Sequence, residues 1–135
     1  MVNSIYNLPD ISFIGGSSFP IVFELYKDEM KTVPFNLDAG MSVIFSAIHY
    51  ANRDYASPTF LLNTENNEDA IGYQQSEDGY NNILVIQIPF DITATLSGRF
   101  IYQITLFDED GFPEILGQGI MDITRNIDSS TYISK

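Results

Sequence analysis

The chain has 135 residues, enough for one domain that buries a core without covalent staples. Eighteen acidic residues against six scattered basic ones give a formal net charge of −12, so nucleic acid and anionic membrane are not expected as partners. The absence of cysteine removes disulfides and thiolate chemistry, while ten Phe and eight Tyr without Trp favour a folded, strand-rich chain.

Residues 1–10 form a polar lead with no periodicity. Residues 11–14 are a short apolar piece that stops at Gly15-Gly16. The run Gly15-Gly16-Ser17-Ser18 is a bend rather than a phosphate cradle, because no Lys-Ser/Thr ending and no helix follow it. In residues 19–26, Phe19, Ile21, Phe23 and Leu25 alternate with Pro20, Val22, Glu24 and Tyr26, the period of a strand with one buried face. Pro20 belongs at the start of that strand or on a sheet edge, since it donates no ladder hydrogen bond. A charged turn at 27–31 and an extended piece at 32–37 lead to a long strand over 41–50. There Val43, Phe45 and Ala47 share one face and Ile44, Ser46 and Ile48 the other. Two fairly apolar faces place this strand centrally or under cover on both sides.

Residues 51–82 are rich in Asn, Asp, Glu, Ser and Tyr and carry several turn signals. A structureless loop of that length is unusual, so short strands are predicted at 60–63 and 70–74. Regularity returns at 83–88, with Leu84, Ile86 and Ile88 on one face. The segment 89–98 is predicted to cross between two sheets, with one helical turn at 93–96. Residues 98–108 then give the clearest signal in the chain: Phe100, Tyr102, Ile104 and Leu106 alternate with Arg99, Ile101, Gln103 and Thr105. A turn at 108–111 and a second apolar run over 115–127 complete a β-hairpin. The pattern predicts an all-β, Ig-like antiparallel β-sandwich over residues 11–127, with a longer polar excursion (51–82) at one end. An N-terminal arm (1–10) and a C-terminal tail (128–135) flank it, as segments that order on assembly.

Little in the sequence points to catalysis. His49 is the single histidine, and without a second imidazole or a thiolate it reads as a strand residue at a rim rather than a proton shuttle or metal ligand. Asp108-Glu109-Asp110-Gly111 lacks the ligand spacing of a calcium loop and reads as an acidic hairpin tip. Glu65, Glu68, Asp69, Glu77 and Asp78 are irregularly spaced, as in a solvated loop. No catalytic residue, metal or cofactor is expected. Tyr50, Tyr55, Tyr73 and Tyr80 gather around the excursion in the sequence and form the candidate interaction surface. Two uses stay open: exposed rings that stack on a carbohydrate or fill a partner's pocket, and rings that pack the excursion onto its own sandwich.

The stretch GSSFPIVFELYKDEMKTVPFNLDAGMSVIFSAIHY resembles the opening of the N-terminal domain of the phage baseplate upper protein family: a Gly-Ser start, an alternating strand, a charged hairpin, and a step (Val33 to Gly40) into a second long strand. The closing half, ITATLSGRFIYQITLFDEDGFPEILGQGIMDITRNI, is similar to that family's Thr-x-x-Leu-x-Gly-x-Tyr-x-Tyr-x-Ile/Leu pattern. Thr93, Leu96, Gly98, Phe100, Tyr102 and Ile104 occupy those positions, and Gly119, Met121 and Ile123 follow in a Gly-x-Ile-x-Ile-like strand. The resemblance implies an Ig-like sandwich without catalytic residues. It also implies a bacteriophage virion structural protein, either a tail or baseplate adaptor or a capsid decoration, whose partners are other virion proteins and copies of itself. On that reading the protein resides in the virion after synthesis in the host bacterial cytoplasm. The N-terminus lacks the basic start and apolar core of a secretory signal. The tyrosines carry the other expectation, a carbohydrate-binding β-sandwich.

Overall fold

Alternation of inward and outward side chains divides the chain into eight strands among the residues that the computed structural model describes, namely 8–17, 20–26, 35–37, 40–52, 54, 57–64, 70–77 and 79–128. They are β1 (Ile11–Ile14), β2 (Ile21–Glu24), β3 (Ser42–His49), β4 (Phe60–Asn63), β5 (Ile71–Gln74), β6 (Ile83–Ile86), β7 (Gly98–Phe107) and β8 (Pro113–Thr124). A single helical turn, α1 (Phe90–Thr93), lies between β6 and β7, and a 3₁₀ turn (Tyr50–Asn52) follows β3. The strands form a five-stranded sheet, β1-β8-β7-β3-β4, and a three-stranded sheet, β2-β6-β5.

This connectivity is that of an immunoglobulin-like sandwich. In its notation β2, β6 and β5 take the places of strands B, E and D, and β8, β7, β3 and β4 those of G, F, C and C′. The β7–β8 hairpin and the central position of β3 match the sequence pattern. One pairing departs from an all-antiparallel arrangement: β1 runs parallel to β8, with Ile11 opposite Met121 and Ile14 opposite Thr124.

Residues 51–82 are not an excursion at one end. Both short strands form where the pattern places them, but β4 pairs with β3 in the large sheet and β5 with β6 in the small one. The segment therefore crosses between the two sheets and supplies an edge to each. The helical turn also begins earlier than expected, at Phe90. Pro89 occupies its N-cap, a place where proline's missing N–H costs nothing. As predicted, this turn carries the chain from the small sheet to the large one.

The core lies between the sheets. Val43, Phe45 and Ala47 from β3, Phe100, Tyr102, Ile104 and Leu106 from β7, and Leu84 and Ile86 from β6 are all buried. At its centre the Tyr102 ring stacks on Phe45, with centroids 5.5 Å apart, and meets Phe23 at 5.8 Å. Immunoglobulin domains fill the equivalent place with a disulfide between strands B and F packed against a strand-C tryptophan. This chain has neither Cys nor Trp, and one aromatic ring from each of β2, β7 and β3 takes over the cross-sheet contact.

Two local features make room for that packing. Gly119 lies opposite Tyr102 in the ladder, where any Cβ would sit 2.6 Å from the phenol ring. Two residues earlier the register slips: Ile104 pairs with Gly117 but Thr105 with Ile115. The resulting bulge leaves Leu116 between them as the extra residue, and it is buried.

The N-terminal boundary also moves. Residues 8–10, assigned to the arm by composition, lie against the sandwich. Leu8 is buried, its N–H donates to the Gln118 carbonyl at 3.1 Å, and the Pro9 carbonyl accepts the Tyr102 hydroxyl at 2.5 Å. Residues 1–7 and 129–135, the rest of the predicted arm and most of the tail, lie outside the described residues.

Candidate interaction surface

The four tyrosines do not converge. Tyr50 lies in the 3₁₀ turn after β3 and is 41% exposed. Tyr73 lies on β5, half-buried against the core, and its hydroxyl donates to the Met41 carbonyl at 3.3 Å. Met41 and Tyr50 bracket the eight residues of β3 and are roughly 30 Å apart along it, so Tyr50 and Tyr73 are at opposite ends of the sandwich. Tyr80, 45% exposed, is in the loop joining β5 to β6 and shares the Met41 end with Tyr73. Tyr55 lies outside the described residues. Of the two uses left open by the sequence, Tyr73 follows the packing one. Tyr50 and Tyr80 expose rings, but on separate surfaces. Neighbours in the sequence became distant because the segment between them crosses from one sheet to the other.

The end that carries Tyr50 is a tightly cross-braced rim. His49 packs edge-on against Phe100, with centroids 5.0 Å apart. Its N–H donates to Thr59 Oγ1 at 3.0 Å, and its Nδ1 accepts the Ala51 N–H at 3.2 Å. Gly98 lies against the Nε2 edge of the ring, where a Cβ would come within 2.9 Å of Nε2, and its φ of 107° is one that glycine adopts without strain. His49 thus occupies the rim position expected of it, between a phenyl ring and a glycine. Beside it Arg99 and Asp122 pair across β7 and β8 at 3.0 Å, and this hydrogen bond and charge hold the guanidinium above its ordinary pKa. Both groups are exposed, so the pair adds little to stability.

The glycine bend lies at the same end. The Gly16 N–H donates to the buried Thr93 Oγ1 at 2.9 Å, Gly15 N–H to the Thr124 carbonyl at 2.9 Å, and Asn126 Nδ2 to the Gly15 carbonyl at 2.6 Å. The backbone amides are occupied in tying β1 to α1 and the end of β8, in keeping with a bend. Ser18 lies outside the described residues.

At the opposite end the acidic hairpin tip is held by its own first carboxylate. Asp108 Oδ1 accepts the N–H groups of Asp110 and Phe112, both at 2.9 Å, and Gly111 takes φ 84°. That is the work Asp and Gly perform in turns. Of the excursion carboxylates, Glu77 is exposed and Glu65, Glu68, Asp69 and Asp78 lie outside the described residues. Among the described residues no three His, Cys, Asp or Glu side chains are grouped so as to hold a metal ion, and no helix is long and apolar enough to cross a membrane.

The surroundings of Tyr102 act on its ionisation. Burial first, and the nearby charge of Asp10 second, push its phenol well above the ordinary value of 10.0. Below about pH 10 the phenol is neutral in folded and unfolded chains alike and stability does not depend on it. Above that, the unfolded chain releases a proton that the folded chain keeps, so stability falls as pH rises, by up to about 1.4 kcal/mol per pH unit. Urea titrations between pH 9 and 12 are expected to show this decline in the native chain and a shallower one in Tyr102→Phe. Equal slopes would place the phenol in water.

No protein-family model matches the chain, and no curated protein matches it. Among solved structures it is similar to CopC from Methylosinus trichosporium OB3b, over 87% of this chain and 88% of that one, with 10% sequence identity and a TM-score of 0.42. The sandwich assignment above rests on strand order and pairing in this chain.

The residues that resemble the baseplate family turn out to be core and turn positions. Phe100, Tyr102, Ile104, Met121, Ile123 and Thr93 are buried, Gly98 makes room for His49, and Gly119 makes room for Tyr102. Leu96 packs, half-buried, against the core, and Gly119 also borders a shallow cleft with Leu8, Asp10, Ile101, Gln118 and Ile120.

Proposed function

We propose that the protein is a non-enzymatic structural component of a bacteriophage virion, a tail or baseplate adaptor or a capsid decoration, that acts through protein–protein assembly. The observation that carries this reading is the coincidence of the baseplate-like pattern with the framework of the sandwich. Its nine residues occupy the buried faces of β7 and β8, the crossing turn, and the glycine contacts that fix those faces. A pattern of framework residues belongs to a scaffold whose function lies in its surfaces. The acidic charge suits that role, because it keeps a free subunit soluble and selects against unsuitable contacts.

The alternative, a carbohydrate-binding module, is favoured by the exposed rings of Tyr50 and Tyr80. It is weakened by their separation, since a stacking platform needs its rings on one surface. One experiment separates the two. A tagged chain cut to residues 8–128 keeps the whole described body and is expected to lose incorporation into particles, while Tyr50→Ala and Tyr80→Ala leave incorporation unchanged. A sugar binder would show the reverse: the single tyrosine changes would abolish retention on a glycan array, and trimming would have no effect.

A further inference from the structure

The two sheets leave a seam open along one side of the sandwich. Its walls are β1, the outermost strand of the large sheet, and β2, the outermost strand of the small one. Between them runs a groove of about 380 Å³, lined by Ile11, Phe13, Pro20, Ile21 and Val22 among others, and by no charged side chain. Ile11, Phe13 and Ile21 pack against the core here yet stay only half-buried, and Val22 is 56% exposed. The β1 wall also presents unpaired backbone. The Gly15 N–H bonds the Thr124 carbonyl, so by alternation Phe13 and Ile11 bond β8 and Ser12 turns its N–H and C=O to the free edge. Among the described residues no strand pairs with that edge. The turn from Ile14 to Ser17, closed by the Ser17 N–H on the Ile14 carbonyl at 3.1 Å, bounds the groove at its upper end. An apolar groove beside a free strand edge is the place of a further strand, and folded chains cover such edges.

We infer that residues 129–135 of the same chain occupy this seam, extended and antiparallel to β1. The body delivers them to it. Asn126 Nδ2 donates to the Gly15 carbonyl at 2.6 Å, beside the end of β1, and Asn126 Oδ1 accepts the Asp128 N–H at 2.7 Å, in a turn over residues 127–128 that follows β8. The reach is sufficient. From Gly15 to Asp10 is about 17 Å along β1 and one strand spacing is about 4.8 Å, while seven extended residues cover about 23 Å. The composition fits as well. The segment Ser129-Ser130-Thr131-Tyr132-Ile133-Ser134-Lys135 holds no acid in a chain of net charge −12, and Thr, Tyr and Ile favour strands. With Ile133 opposite Ile11 and Thr131 opposite Phe13, both enter the groove, and Tyr132 falls beside Ser12. Lys135 then arrives at the lower end, where exposed Asp10 precedes β1 and exposed Glu24 ends β2. The same segment from a second copy competes poorly. A short tether holds the chain's own segment at an effective concentration of about 1 mM, roughly a thousand times that of a micromolar solution. The seam is therefore closed in the free subunit, before any partner is met.

The test is cysteine pairing in the full chain, which has no native cysteine. Ser12→Cys is combined in turn with Thr131→Cys, Tyr132→Cys and Ile133→Cys and oxidised in a glutathione buffer. The expected result is a disulfide within one chain that forms at least ten-fold faster with Tyr132→Cys than with either neighbour, because only alternate residues of a paired strand face Ser12. Hydrogen exchange provides a second readout without cysteine. Ile133→Asp is expected to speed exchange of the Ser12 N–H at least ten-fold and to leave the Asp110 N–H at the hairpin tip unchanged. Equal rates at positions 131, 132 and 133, or disulfides formed only between two chains, would overturn the assignment. So would a Ser12 N–H that exchanges in the native chain as fast as in an unstructured peptide.

Discussion

Replacing Tyr102 with Ala is expected to cost about 3–5 kcal/mol of folding stability, the range for removing a large aromatic from a core. The side chain is fully buried, stacks on Phe45 from β3, meets Phe23 from β2, and donates its hydroxyl to the Pro9 carbonyl. It therefore joins both sheets to the segment before β1. A domain of this size has about 5–15 kcal/mol in total, so the variant is expected to be marginal at 37 °C. Tyr102→Phe keeps the ring and loses only the hydroxyl, and about 1 kcal/mol is expected. Urea denaturation with linear extrapolation measures both. If Tyr102→Ala lost under 1 kcal/mol, the aromatic contact would not be what replaces the disulfide and tryptophan of other sandwiches.

The second large effect is expected at Gly119. A methyl group there would stand 2.6–2.8 Å from the Tyr102 ring, well inside van der Waals contact. The ring cannot retreat, because Phe45 and Phe23 hold it from the core side. Gly119→Ala is therefore expected to destabilise by about 1–3 kcal/mol through overpacking. The cause is specific and can be isolated with a double-mutant cycle. In a Tyr102→Leu background the smaller side chain leaves room, and most of the cost of Gly119→Ala should vanish, giving an interaction energy of at least about 1 kcal/mol. Strict additivity would show that Gly119 is needed for some reason other than the phenol.

Much of this architecture was legible in the alternation of apolar residues. Every inward residue of β7 was marked by period 2, as were Val43, Phe45 and Ala47 on β3 and Leu84 and Ile86 on β6. The hairpin tip was announced by Asp108 and Gly111, and the short strands of residues 51–82 by apolar islands between turn signals. The sheet to which each short strand belongs was not legible, because alternation reports which side of a strand is buried and says nothing of the strand beside it. Parallel pairing of β1 with β8 was hidden for a similar reason: it joins segments more than 100 residues apart with no connecting turn to announce it.

The candidate surface was less legible than the fold. Tyr50, Tyr73 and Tyr80 are close in sequence, yet the chain changes sheet between the first and the other two, and proximity along the chain misled. Tyr73 hydrogen-bonds a backbone carbonyl at the start of β3, a contact for which tyrosine spacing holds no cue. Gly119 and Gly98 were visible as glycines, but the need for them depends on the rings of Tyr102 and His49 lying across the ladder. The outer face of the large sheet was visible only in part. Ile44, Ser46 and Ile48 on one side of β3 suggested a covered strand, and the register was needed to align Ile48 with Ile101 and Ile120.

The central claim, that this sandwich is a virion component that works by assembly, is tested most directly by fractionating phage particles from a lysate on a density gradient and quantifying the chain by mass spectrometry. The account predicts that it co-sediments with infectious particles at a fixed stoichiometry and stays bound through a high-salt wash. Recovery only at the top of the gradient, with none in the particle band, would contradict it.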